Sequence, residues 1–509
     1  MRQNKVGEQK FYRLFGRSSF ILLITALFSF LSAGSFEDFR KNQSTAFQNF
    51  KEENDRTFVN YLKSDWEAYL LKEPLAAFKE AKPRELYPAR NIVVKKQGPR
   101  VNIKVGEKEE EIISTVPQTS PMNLEPLSSS KGKTNLNPEI ENLDKKDINF
   151  DFYGTAIALN TPQGMNKAKF YPQTKEGISN YFKTVALSPY EFLLDSIKSI
   201  SNELNLNDWG KYMLIKKLSE NIFPNQDESR LLSWFIFNKL GYSVRVGLAN
   251  SHVIVMHYSK KTIYATPNYD IDKKKFYVVS NYAKGSASKV FTYDQNYPEA
   301  DKELDLSMET LPKFVDKTMY KTLNFRQYGQ RYSIKYSYNK NLIDFMATYP
   351  QADYETFFNT PLSKNSYRDI AMELKKYINT KQASEALNFV LHFVQNAFKY
   401  QIDSHQFGRE KVMFAQETLY YDKSDCEDRS ILYAYLVKEL FGISVVGVKY
   451  ADHMATALYI PIKGDGVKLH SKKYIIADPT YVNASVGQSM PKYRSTRPDN
   501  FIVVKSTKG

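Results

Sequence analysis

Hydrophobic and polar positions divide this chain into regions with different periods. Residues 20–31 form a nearly unbroken apolar run, preceded by Arg2, Lys5, Lys10, Arg13 and Arg17 and followed by the small residues Ser32, Ala33 and Gly34. From 35 to 82 aromatic residues recur every eleven positions, at Phe36, Phe47, Phe58 and Tyr69, with Phe39, Phe50 and Tyr61 three residues behind. That repeat, about 3.67 residues per turn, keeps the rings on one face of a straight helix, which Pro74 and Pro83 close. Residues 106–149 carry four prolines, an acidic run at 109–111 and few large apolar side chains, so they predict a disordered linker. From Phe150 onward helical and alternating patterns mix, and the class expected is α+β.

The last hundred residues hold the strongest local signals. Residues 431–441 are apolar nearly all round and stop at Gly442, which predicts a buried central helix. Ser424 and Glu427 have capping-box spacing, making Ser424 the expected N-cap and Cys426 the second helical residue. A thiol on the first turn meets the positive end of the helix dipole, which favours thiolate. Residues 453–460 then alternate as a strand, residues 473–478 form another that Pro479 breaks, and Gly464-Asp-Gly466 signals a turn between them. A hairpin centred on that turn sets His453 beside Asp478, a base and the carboxylate that orients it. Glu427, Asp428 and Arg429 read as structural, and His392 as a core residue of an apolar helix.

Composition limits what this site can be. A chain of 509 residues has room for roughly three domains, and 42% hydrophobic with 25% charged residues excludes wholesale disorder and a multi-span membrane protein. The single cysteine excludes an intramolecular disulfide framework and multi-cysteine metal sites, and no cofactor or metal-ligand spacing stands out. Net charge +15 is scattered over lysines rather than gathered in one basic run, so no nucleic-acid partner is expected. The basic leader and apolar run predict residues 1–34 to be a secretory signal or a retained membrane anchor. Either places the body outside the cytoplasm, in the periplasm or cell envelope, with anchoring in the inner membrane as the alternative to release.

An internal repeat accompanies these signals. Residues 229–244 parallel residues 430–445, and Ser251-His252 follows as Asp452-His453 does, 201 positions later. Residues 252–258 and 262–266 are expected to repeat the hairpin with a tighter turn, and Ala265-Thr-Pro-Asn-Tyr269 matches Ala477-Asp-Pro-Thr-Tyr481, so Asn225 and Thr266 fall where the second copy has its nucleophile and its carboxylate. The order Cys426, His453, Asp478, with Asp-Cys-Glu-Asp opening a helix, resembles the transglutaminase-like branch of the papain-like thiol enzymes. The resemblance covers about 330–500. It implies Cys426 as nucleophile, His453 as general base and acid, and Asp478 as its orienting residue. The family's upstream glutamine would be Gln416, which lies ten residues before the nucleophile, and the Cys426 backbone N–H with Tyr421 is the other candidate for the oxyanion. The stretch with Trp66 and Lys82-Pro83 loosely resembles the N-terminal domain of membrane-bound lytic murein transglycosylase C.

The expected organisation is therefore a leader (1–34), a helical N-terminal segment (35–105), a linker (106–149), a degenerate transglutaminase-like domain (150–310) and a catalytic one (311–509). The expected activity is acyl transfer from an amide through a thioester, by a peptidase or amidase acting on a peptide or protein, cell-wall material included. A cross-linking transglutaminase and a non-catalytic scaffold that binds peptide or glycan are the competing readings.

Overall fold

The computed structural model describes residues 36–90, 96–107, 146–279 and 288–505. The expected leader and most of the expected linker lie outside the described residues. The chain divides after Phe58 into two compact units. Helix α1 (Phe36–Tyr61) carries the eleven-residue aromatic repeat but ends before Tyr69. A turn follows, with the Trp66 indole N–H donating to the Leu62 carbonyl, and Tyr69 falls in the edge strand β1 (Glu67–Leu70). Among the described residues, the helical segment expected over 35–105 is thus one helix and one strand, followed by extended chain at 71–90 and 96–105. Strand β2 (Ile148–Phe152) starts two residues before the expected boundary and pairs with β3 (Thr155–Leu159).

The middle of the second unit packs helices on a sheet. Helices α2 (Lys175–Ala186), α3 (Glu191–Glu203), α4 (Asp208–Ile222) and α5 (Gln226–Lys239) precede strands β4 (Val244–Ala249), β5 (His252–Tyr258), β6 (Asn268–Ile271), β7 (Lys274–Tyr277) and β8 (Lys289–Thr292). The strands run antiparallel in the order β1-β8-β4-β5-β7-β6. Trp234 and Phe235 of α5 are fully buried between the layers.

A long hairpin, β9 (Thr318–Gln327) with β10 (Gln330–Asn339), leads into the last part. There follow α6 (Lys340–Met346), α7 (Tyr354–Phe358), α8 (Lys364–Ile378), α9 (Ala383–Ala397), β11 (Lys399–Tyr400), α10 (Asp403–Gln406), α11 (Ala415–Tyr420), β12 (Lys423–Ser424) and α12 (Cys426–Phe441). The closing strands are β13 (Val445–Lys449), β14 (Met454–Leu458), β15 (Gly466–Leu469), β16 (Lys472–Ala477) and β17 (Asn500–Val503), antiparallel in the order β15-β16-β14-β13-β17. The chain is mixed α+β, as its patterns indicate.

The two sheets share a strand order once β1 is set aside, with β6-β7-β5-β4-β8 corresponding to β15-β16-β14-β13-β17. Each has a buried helix just before its central hairpin, ended by a glycine with positive φ, Gly241 at 84° and Gly442 at 68°. The fifth residue of each helix reaches the same point of the sheet. Arg230 donates to the Val253 carbonyl, and Ser430 to the Met454 carbonyl. Two details of the expected repeat are corrected. Residues 262–266 are not a strand, because β5 pairs with β7; Thr266 lies in the connection to β6, its hydroxyl on the Tyr264 carbonyl. Likewise β14 does not turn directly into β16. Gly466 begins β15, and the turn into β16 falls at His470-Ser471, both with positive φ.

One extended segment ties these parts together. Residues 71–90 and 96–107 form a strap that donates from Lys72 N–H to Asn268 and accepts at Leu75 from Ala265. It continues with N–H donors from Glu80 to Ala451 and from Ala89 to Val482, and reaches α8 where the Tyr367 hydroxyl donates to the Lys104 carbonyl.

Candidate active site

Cys426 opens α12, but as its first residue. Asp425 is the N-cap, with extended dihedrals, and its N–H donates to the Asp428 carboxylate at 3.3 Å. Ser424 cannot cap because it pairs with Tyr400 between β12 and β11; its hydroxyl instead accepts from Arg429 Nε at 3.0 Å. The acids and arginine of this turn are structural in part, as expected. Asp428 accepts from Met413 N–H at 2.8 Å, and the buried Arg429 guanidinium donates to the carbonyls of Gln395 and Phe398. Burial lowers the Arg429 pKa to about 10.

His453 and Asp478 meet as the sequence predicted. His453 Nε2 lies 2.9 Å from Asp478 Oδ2, and both residues are buried. They stand just before β14 and just after β16, so their contact survives a strand register different from the one a turn at 465 would give. The other Asp478 oxygen accepts from the N–H groups of Thr480 and Tyr481. With Nε2 engaged, Nδ1 of His453 is the free nitrogen; it is buried and has no hydrogen-bond partner. The imidazole is clamped by the Tyr493 ring, stacked at 4.7 Å, whose hydroxyl donates to Asp452 at 2.9 Å. Ser430, one turn beyond Cys426 on the same face of α12, donates to the carbonyl of Met454, the neighbour of His453.

The thiol departs from expectation. Cys426 has 0% exposure, and its S–H donates to Glu427 Oε2 at 3.2 Å. Burial, and then the carboxylates of Glu427 and Asp425, push the thiol pKa well above its ordinary value, with Lys82 opposing them. The dipole argument omitted the loss of water and two flanking acids, which together outweigh a helix terminus.

Sequence reasoning missed the largest charged feature of the site. The Lys82 ammonium, at 4% side-chain exposure, sits 3.1 Å from Asp403, 2.6 Å from Asp425 and 2.5 Å from both Glu427 and Glu410. Burial alone would lower its pKa, but Glu427, Asp425 and Asp403 raise it well above the lysine range. Asp403 is pushed up to about 7, by burial first and then by Asp425. Two groupings here, Asp403 with Glu410 and Glu427, and Asp403 with Asp425 and Asp428, are close enough to hold a cation. The cation present is Lys82. Its only sequence signal was a lysine followed by proline in an otherwise unremarkable extended stretch. Gln395 was also missed: its side-chain NH2 group donates to the carbonyls of Asp478, Tyr481 and Ala484, fixing the turn that carries the carboxylate. A lone glutamine in the apolar run of α9 was the available clue.

The proposed oxyanion donors sit otherwise. Gln416 accepts from Ser363 N–H and donates to the Ser366 hydroxyl, so both ends of its amide hold α11 to the start of α8. Tyr421 is packed on Phe407 and Tyr420, its pKa raised by burial to about 12, and among the described residues no hydrogen bond links it to Cys426. His392 is a core residue, its pKa lowered by burial to about 4. A cavity of about 580 Å³ between Asn205, Phe314 and Arg368 includes none of the site residues.

The middle repeat has no thiol at the matching turn. Asn225 is an ordinary N-cap, accepting from Asp227 and Glu228 N–H, and Gln226 occupies the first helical position. His252 bonds Asp227 at 3.1 Å and is largely exposed. The chain matches no family model, no curated protein and no solved structure, so the site is read from its own geometry.

Proposed function

We infer that the chain is an exported thiol enzyme of the papain-like, transglutaminase-like kind, cleaving an amide through a thioester on Cys426. The observation that carries this reading is the buried His453–Asp478 pair with Nδ1 left unpartnered, beside the strand that Ser430 of α12 bonds one turn beyond Cys426. An imidazole that donates from Nε2–H to a carboxylate keeps a lone pair on Nδ1, the tautomer a general base needs. His453 Nδ1 takes the thiol proton, and the sulfur attacks the carbonyl carbon. The C–N bond then breaks as His453 returns the proton to the leaving amine, and water, deprotonated by the same nitrogen, releases the acid from the thioester. The Cys426 N–H, at the helix start, is the backbone donor this reading assigns to the developing oxyanion.

The described state is a closed one: the thiol is protonated and covered, and no hydrogen bond joins Sγ to Nδ1. The middle domain, alike in strand order and lacking a thiol, is read as a degenerate copy. The N-terminal basic and apolar pattern supports a location in the cell envelope. Among the described residues no helix is long and apolar enough to cross a membrane.

The test is whether thiol reactivity depends on His453. Iodoacetamide at pH 6 reaches Cys426 only when the closed state opens, so the parent and the variant are compared after hydrogen exchange has shown that the start of α12 opens alike in both. His453→Ala should label at least about tenfold more slowly than the parent, since thiolate no longer forms beside an imidazolium. Rates equal within about twofold, in proteins of unchanged thermal stability, would remove the ion pair and favour a binding scaffold.

A further inference from the structure

The acid box around Lys82 has a shape that packing alone does not require. Asp403, Asp425 and Glu427 are buried and come from α10 and the start of α12, whereas the lysine comes from the strap, over three hundred residues earlier in the chain. One carboxylate, Glu427, touches both the Lys82 ammonium and the Cys426 thiol. The strap carrying Lys82 lies along the site as an extended peptide. Its N–H groups at Glu80 and Ala89 donate to the carbonyls of Ala451 and Val482, which flank His453 and Asp478, and the Tyr400 hydroxyl donates to the Pro83 carbonyl.

Polar capacity beyond Lys82 is unused at this place. A cavity of about 280 Å³ is lined by Ala76, Phe78, Lys82, Gln351 and Glu410. The Gln351 side chain, 4% exposed, accepts from Val412 N–H through its oxygen and leaves its NH2 group with no acceptor. Asp425 Oδ1 is buried without a donor. The Tyr354 hydroxyl, on a residue 5% exposed, has no partner either, and Glu427, Lys82 and Glu410 are among the charged groups that act on it. An ammonium recogniser with a spare amide donor and a spare hydroxyl beside it is equipped for a peptide whose side chain ends in a primary amine.

We propose that the box formed by Asp403, Glu410, Asp425 and Glu427 is the side-chain subsite for a lysine-type primary ammonium on the substrate peptide, and that Lys82 occupies it as a built-in pseudosubstrate. The proposal rests on reading Cys426 as the nucleophile only for the word substrate; the binding claim stands on the box itself. The strap then holds the enzyme closed until a peptide with such a side chain, or loss of the strap, vacates the site. A guanidinium fits less well, because the acids converge on one nitrogen at 2.5–3.1 Å rather than presenting a planar fork.

The experiment uses the full chain with Lys82→Ala, and Lys82→Met in parallel to retain the apolar stem should the shorter side chain fail to fold. The probes are N-acetyl-Ala-Lys-Pro-amide, which repeats the strap around Lys82, and the same peptide with norleucine for lysine. The lysine peptide should raise the melting temperature of the variant by about 2–3 °C at saturation and slow iodoacetamide labelling of Cys426 severalfold, while the norleucine peptide does neither. The parent, its box filled, should respond to neither peptide. Equal responses to both peptides, an equal response of parent and variant, or no response of a folded variant would overturn the proposal. So would stabilisation of the variants by calcium and not by the lysine peptide, which would make the box a metal site. Binding of the lysine peptide with no dependence of labelling on His453 would leave this subsite standing and remove the enzymatic reading instead.

Discussion

Replacing Gln395 by Leu tests whether the Asp478 turn is held from below by a single side chain. Gln395 is 2% exposed, and its NH2 group faces the carbonyls of Asp478, Tyr481 and Ala484 at 3.0, 2.9 and 3.0 Å. Two N–H bonds thus serve three acceptors. Leucine has a similar reach and removes both donors. Leaving two buried carbonyls without a partner costs about 1–3 kcal/mol each. The glutamine oxygen has no donor, so its removal returns about 1 kcal/mol. The net loss is about 1–5 kcal/mol. Unfolding entropy near 2 cal/mol/K per residue, over a cooperative unit of several hundred residues, converts this to about 1–5 °C in melting temperature. Differential scanning calorimetry resolves that shift. The same change should speed hydrogen exchange in residues 478–484 while the N–H groups of β13 stay protected. A melting temperature within about 0.5 °C of the parent, with unchanged exchange in that turn, would refute the assignment of Gln395 as its anchor.

Three other outcomes follow from the described geometry. Asp403 carries a raised pKa in the folded state, so its contribution to stability is complete below the unfolded value and is lost as pH rises through about 7. The melting temperature of Asp403→Asn minus that of the parent should therefore rise between pH 5 and pH 8; a flat difference would contradict the raised pKa. Trp234→Ala removes a fully buried ring that packs on Phe182 at 5.3 Å and donates to the Tyr293 hydroxyl, and should cost about 3–5 kcal/mol by chemical denaturation. His252→Gln breaks only a largely exposed contact with Asp227, so Cys426 labelling should stay within about twofold of the parent. A large loss would bring the middle domain into the site.

The sequence was most legible where chemistry and local pattern coincide. Cys426 at a helix start and the His453–Asp478 pair were readable because a capping pattern and two strand ends bracket them within some fifty residues. The hairpin details were not, since a turn at His470-Ser471 uses two non-glycine residues with positive φ, while the glycines at 464 and 466 look like the better turn. The Ala265–Tyr269 match misled for a related reason: five similar residues say nothing about which strand pairs with β5. Lys82 was illegible in principle, because its partners lie more than three hundred residues away and no local period marks a long-range ion pair. The thiol was misjudged through the same gap, as its pKa is set by burial under a distant strap and by the acids gathered there.

The central claim, that Cys426 is an acyl-accepting nucleophile, is met most directly by treating the purified full chain with p-nitrophenyl acetate and mapping the acetyl group by mass spectrometry. The account predicts one acetyl per chain on Cys426, lost in His453→Ala, and released on standing in neutral water as a thioester should be. Acetyl found on surface lysines alone, with Cys426 unmodified in a protein that melts normally, would contradict it.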